Sequence, residues 1–310
     1  MVVISNSKTP NNKSRLFYGI TPLGLLTLSA CGGGSSDTVT YDANGNVIKG
    51  LLSNALVGLD FDGDGTVDSS TVRTGTDGSY SISTTNSTYT IIATTDGTTI
   101  DTSSGAVLSG ITLKAPKDAS VVTPTTTLIE EADLTPDQVA SVLGLPDGVD
   151  PLAFNPFADG VDAADALAVE KISQQIISVV ISFASAAEGA GASEANAFSS
   201  ALKGLVEVVK DKAANLSDAT ANQADKLLDL TKAEDLTLIK TETSSQVASI
   251  ADIDVGSFNR VADDTATAIL NVNTKIAAVT DLTSDETKNT FSTVQVLADQ
   301  VQDAAEAEKT

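Results

Sequence analysis

Residues 60–68 read Asp-Phe-Asp-Gly-Asp-Gly-Thr-Val-Asp. Carboxylates at alternating positions, Asp60, Asp62 and Asp64, can turn into one loop, and Asp68 follows close behind. Gly63 and Gly65 permit backbone angles that other residues resist. Acids held this close repel one another, and a divalent cation removes that penalty. Oxygen-only donors suit calcium, whereas zinc, iron and copper favour imidazole or thiolate. The chain has no histidine and a single cysteine, so those softer sites have few ligands to draw on.

The spacing follows an EF-hand-type loop at its first, third, fifth, sixth and ninth positions. Thr66 offers its carbonyl at the seventh and Val67 an apolar anchor at the eighth. At the twelfth, Thr71 stands where a bidentate Glu belongs, and the flanks read as strands instead of helices. The expectation is a calcium loop inside a β domain, in the weak extracellular range of ~10⁻⁴–10⁻³ M. Asp77, on a neighbouring strand, is the candidate to complete the shell. The competing reading is a solvated acidic turn with no ion.

The second chemical position is the lone thiol, in Leu28-Ser29-Ala30-Cys31-Gly32-Gly33. Before it, Lys8, Lys13 and Arg15 make a basic start, and no acid occurs until Asp37. Leu16 to Leu28 is mostly apolar but shorter than the ~20 residues a bilayer span needs. Leu28-Ser29-Ala30-Cys31 resembles the lipobox of bacterial lipoproteins. The resemblance implies cleavage before Cys31, diacylglycerol on its sulfur and an acyl chain on the new amine. Gly32 after the cysteine, where Asp marks inner-membrane retention in enteric lipoproteins, implies the outer membrane. An ordinary secretory signal with a chance cysteine is the alternative. Several acyl chains anchor stably, at ~0.8 kcal/mol per buried CH₂.

Cleavage there leaves 15 basic against 41 acidic residues, a formal charge of −26. Such a surface excludes nucleic acid, whose phosphates require Lys and Arg. It also excludes docking on anionic lipid by charge. No intrachain disulfide is possible with one cysteine, so stability must come from burial.

Residues 1–30 therefore read as a lipoprotein signal peptide and 31–44 as a flexible tether. Residues 45–115 read as a small antiparallel β-sandwich of the immunoglobulin/transthyretin-like kind. Its strand signals are Val47-Ile48, Ala55 to Phe61, Ser79 to Ser83 and Thr88 to Ala93. Asn44-Gly45, Asp77-Gly78 and Asp96-Gly97 supply turns. Gly50 to Gly65, followed by Thr76-Asp-Gly-Ser-Tyr-Ser-Ile, is similar to carboxypeptidase-regulatory or Cna-B-type sandwiches of bacterial surface proteins. The isopeptide-forming residues of some Cna-B domains have no placeable match, so no crosslink is carried over.

Residues 116–160 read as a connecting segment with a short helix. Val121 to Ile129, Val142 to Leu145 and Asp150-Pro151 are similar to a segment of large surface proteins of marine bacteria, which carries no activity with it. Residues 161–310 read as an all-α helical bundle. Its apolar stripes are Ile172/Ile176/Val179/Phe183, Phe198/Leu202/Leu205/Val209, Val261/Ala268/Val272/Ile276/Val279 and Phe291/Val294/Leu297/Val301. Thr135 and Thr283 read as capping residues, and Gly189 and Gly191 as breaks. The expected class is thus α+β.

Nothing catalytic stands out. Ser200-Ala-Leu-Lys203 matches the S-x-x-K pattern of penicillin-binding proteins, but its companion motifs S-D-N and K-T-G are missing. Glu130-Glu131 reads as a helix start. Without histidine there is no triad, and no glycine loop would cradle phosphate. The sequence therefore points to a non-enzymatic, lipid-anchored envelope protein with a structural or adhesion-like role and a protein or surface partner. A lipoprotein binding a ligand or glycan in a helical groove is the alternative. Scarce aromatics, four Tyr and no Trp, count against glycan.

Overall fold

A computed structural model describes residues 39–309. The signal segment, Cys31 and the tether as far as residue 38 lie outside the described residues. The described chain is α+β, with strands first and helices after. The strands are β1 (Tyr41–Val47), β2 (Leu52–Ser53), β3 (Leu56–Asp60), β4 (Val72–Arg73) and β5 (Ser79–Thr84). After them come β6 (Thr90–Thr94), β7 (Thr99–Asp101), β8 (Val107–Leu108), β9 (Thr112–Pro116) and β10 (Val121–Val122). They form three small sheets, ordered β10-β1-β5, β2-β7-β8 and β4-β3-β6-β9. All pairings are antiparallel except β1 with β10.

Local sequence explains most of these strands. In β5, Tyr80 and Ile82 are buried while Ser79, Ser81 and Ser83 face out, the period-two pattern of a half-buried strand. β3 and β6 are nearly continuous apolar runs buried on both faces, paired from Leu56 with Thr94 to Asp60 with Thr90. Asn44-Gly45 departs from expectation. Both residues lie inside β1, paired with Ser81 and Tyr80, so no turn forms there and the ordered chain begins earlier than a tether to residue 44 implies. Gly45 serves another purpose: a Cβ on it would sit 2.3 Å from the Ser120 carbonyl, so only glycine lets that chain pass.

The helices are α1 (Pro124–Ala132), α2 (Pro136–Leu143), α3 (Ala163–Gly189), α4 (Glu194–Ala214), α5 (Gln223–Lys226), α6 (Ala233–Val247), α7 (Val255–Ala277) and α8 (Asp285–Ala307). The connecting segment thus holds two helices, each opened by a threonine. Thr123 and Thr135 close capping boxes with Thr126 and Gln138, and each is followed by a proline at the start of its helix. Glu130 and Glu131 lie in the last turn of α1 and not at a helix start. Lys114 and the Thr90 hydroxyl meet them there, at 2.7 and 2.6 Å. The cap of α8 is Ser284, one residue beyond the expected Thr283.

Helix α3 is the centre of the fold. It is long and apolar enough to cross a membrane by length and composition, yet it is largely buried, packed against α4, α7 and α8. Val39–Thr310 is one compact unit. Its apolar core runs without interruption from Val47, Leu52 and Leu113 under the strands to Phe183, Phe258 and Phe291 among the helices. Strand and helical portions therefore share a core and do not separate at the boundaries the sequence suggests.

Candidate metal centre

The Asp loop is built by the end of β3. Asp60 is the last residue of that strand and is buried, at 3 % exposure, while Asp62 and Asp68 are exposed. The chain then turns on Gly63 and Gly65, both at positive φ (79° and 85°), where glycine carries no steric cost. It closes back on the strand through Asp68 N–H to the Leu59 carbonyl at 2.8 Å, and Leu59 N–H to Ser69 Oγ at 2.8 Å. Val67 packs over Gly58, where a Cβ would lie 2.2 Å from its Cγ1. The flanks are strands β3 and β4, as the sequence implies.

Folding brings three of the expected ligands together. One carboxylate oxygen each from Asp60, Asp62 and Asp68 lies within 4.8 Å of the others. Asp60 is also the organiser of the loop. Its Oδ1 accepts from Asp62 N–H (3.2 Å) and Gly63 N–H (2.8 Å), and its Oδ2 from Gly65 N–H (2.8 Å). A carboxylate has about four lone-pair sites, so Asp60 keeps roughly one for a cation. Asp68 spends Oδ2 on the Phe61 N–H at 2.7 Å, and Asp62 spends Oδ1 on the Asp64 N–H at 3.2 Å. Among the described residues, their second oxygens have no protein donor. Hard oxygens in this number fit a calcium ion whose remaining ligands are water.

The other candidates fall elsewhere. Asp64 accepts from the Thr66 side chain and from its N–H at 2.7 Å, bonds that hold its carboxyl below the usual range. It is not among the three converging acids; Thr66 donates to it through N–H and hydroxyl, which leaves the Thr66 carbonyl, the expected ligand atom, uncommitted by these bonds. Asp77 caps the start of β5, accepting from Ser79 N–H (3.1 Å) and Oγ (2.6 Å), which lowers its carboxyl as well. It too lies outside the converging group. Ser200 is buried in α4 while Lys203 is exposed, and among the described residues no hydrogen bond joins them.

Lys203 instead lines a cleft of about 330 Å³ between the Asp loop and α4, with Asp64, Lys114, Glu131 and Phe198. A second cleft, about 370 Å³, lies in the helical portion against Leu143, Ile172, Leu227, Leu228 and Leu230. Lys171 forms part of its wall, donates to the Ala277 carbonyl at 2.9 Å, and has its ammonium pKa lowered by desolvation.

The sequence reading missed one polar cluster, formed by Lys49, Asp101, Glu170 and Gln174, all essentially inaccessible to solvent. A signal for part of it exists. Glu170, Gln174, Ser178 and Ser182 recur every fourth residue along α3, a polar ridge on a helix that is largely buried.

No known protein family, characterised protein or solved structure matches this chain.

Proposed function

We propose that this chain is a lipid-anchored protein of the bacterial envelope with a structural or adhesion-like role, its Asp loop stiffened by calcium. The observation that carries the reading is the order of features at the start. Basic residues, a short apolar run, Leu28-Ser29-Ala30-Cys31 and a glycine-serine stretch precede the compact unit that begins at Val39. Diacylglycerol and an acyl chain at Cys31 would tie an acidic, water-soluble body to the outer membrane. We read the three small sheets as a split, sandwich-like β portion and α3, α4, α7 and α8 as a bundle. Their side-by-side packing supports that reading. The partner is a protein or surface, and no enzymatic step is assigned.

The experiment is fractionation of cells making the full-length protein or its Cys31→Ala variant. The wild type is expected in the membrane fraction and the variant released from it. A variant that stays with the membrane rejects the anchor. The ligand-binding alternative draws its support from the apolar 370 Å³ cleft, whose size lies in the range of small-molecule sites.

A further inference from the structure

Lys49, Asp101, Glu170 and Gln174 meet beneath the strands, none more than 2 % exposed. They come from three places: the turn after β1, the end of β7, and α3. Lys49 Nζ donates to Asp101 Oδ2 at 2.7 Å. Asp101 is otherwise satisfied by its own turn. Its Oδ1 takes the Ser103 N–H (2.8 Å) and hydroxyl (2.7 Å), and its Oδ2 takes the Ser104 hydroxyl (2.8 Å). The lysine and this aspartate neutralise each other, so among the described residues Glu170 has no salt-bridge partner of its own.

Glu170 is tied to both neighbours through one oxygen. Oε1 accepts the Gly50 N–H at 2.9 Å and Gln174 Nε2–H at 2.7 Å. Glycine is required at that contact: Gly50 has φ +64°, and a Cβ there would lie 2.0 Å from Asp101 Oδ1. Two acceptors remain unpartnered, Glu170 Oε2 and Gln174 Oε1. Buried acceptors without donors are rare and costly. These two sit on side chains already joined by a hydrogen bond, and both lack the same thing.

One hydrogen supplies it. A proton on Glu170 Oε2 makes that oxygen a donor, and Gln174 Oε1 becomes its acceptor. With the existing Nε2–H to Oε1 bond, such a contact would close a cyclic acid–amide pair. We propose that Glu170 is a buried proton-binding site, a neutral carboxylic acid at neutral pH whose proton locks α3 to the turn after β1. Desolvation pushes its carboxyl up to about 8, Asp101 adds to the rise, and Gln174, Lys49 and the Gly50 amide oppose it.

The sign follows from linkage. The unfolded chain releases this proton near ~4.3, and the folded chain keeps it to about 8. The stabilisation is therefore complete below the first value and is lost as pH rises through the second. Once ionised, Glu170 keeps the Gln174 Nε2–H on Oε1 but loses the Oε2–H that Gln174 Oε1 accepts, and it faces the charge of Asp101, so the junction between strands and α3 loosens under alkaline conditions.

The test compares the mature-length protein with Glu170→Gln, whose amide imitates the neutral acid but cannot titrate. Infrared difference spectra at pH 7 should show the carbonyl stretch of a protonated carboxyl in the wild type and not in the variant. From pH 7 to 9.5 the wild type should lose several degrees of melting temperature relative to the variant. Absence of that carbonyl band in folded wild type at pH 7, or parallel melting profiles, overturns the proposal. Should the variant fail to fold, the wild type alone decides, because the band must be present at pH 7 and vanish by pH 9.5.

Discussion

Asp60 does two things at once, and they can be separated. Its three backbone hydrogen bonds shape the loop whether or not an ion is present, and its position beside Asp62 and Asp68 creates the charge an ion would relieve. Two unit charges near 4.8 Å repel by about 1 kcal/mol even in water, and more at the buried end of the loop. Calcium at 10 mM should therefore raise the melting temperature. For a site of ~10⁻⁴ M the gain is about 2.7 kcal/mol. Asp60→Asn should abolish the gain and also destabilise the metal-free protein by about 1–3 kcal/mol, since loop N–H groups lose acceptors. Asp62→Asn should weaken the calcium response while leaving the metal-free stability nearly unchanged, because that side chain is exposed and holds a single bond in the loop. Calorimetric melts in calcium and in chelator measure both. Equal melting temperatures in the two conditions for the wild type would leave the solvated acidic turn as the correct description.

Elements that carried their own signal were readable in advance. β3, β5 and β6 have runs or alternation long enough to show a period, and the α3, α4, α7 and α8 stripes recur over several turns. The two-residue strands β2, β4, β8 and β10 have no period at all and exist only through their partners. Asn44-Gly45 misled because its turn chemistry is local while the demand for glycine comes from Ser120, far along the chain. The acidic cluster of Asp60, Asp62 and Asp68 was legible because its residues are neighbours in sequence. The Glu170 cluster was not, because Gly50 stands 120 residues away. The same holds for Lys212 and Asp235, which join α4 to α6. Lys212 Nζ donates to Asp235 Oδ1 and to the Ala224 carbonyl, each at 2.6 Å, while Asp235 Oδ2 accepts the Asp229 N–H at 2.8 Å. One buried pair thus fixes the irregular stretch around α5. Lys212→Met leaves Asp235 buried without its cation and should cost about 3–5 kcal/mol. Adding Asp235→Leu should restore part of that loss, though the Asp229 amide stays unpaired. Urea unfolding of the two variants measures the difference, and a double variant no better than the single would place the energy in the backbone contacts instead.

Taken as a whole, the described chain joins a single core to a surface crowded with one sign of charge. Because the apolar cluster is continuous from the strands to the helices, neither portion keeps a complete core without the other. Heat or urea should therefore unfold the protein in one transition, reported alike by strand and helix signals. Charge acts across that same unit. The full chain carries 41 acids against 18 bases, and several bases are already committed to pairs such as Lys49–Asp101, Lys114–Glu131 and Lys212–Asp235. Most acids thus face one another across solvent, and compaction works against their repulsion. Salt screens it, with a Debye length that falls from about 30 Å at 0.01 M to about 8 Å at 0.15 M. The melting temperature should rise over that interval in sodium chloride and flatten beyond it, while the transition stays single. Calcium should act on top of the plateau, since an ion held by Asp60, Asp62 and Asp68 is a local contact that general screening does not replace. Melts at fixed high salt, with and without calcium, separate the two effects. A calcium response that vanishes once screening is complete would mean the ion acts only as a general counter-charge and not through the loop.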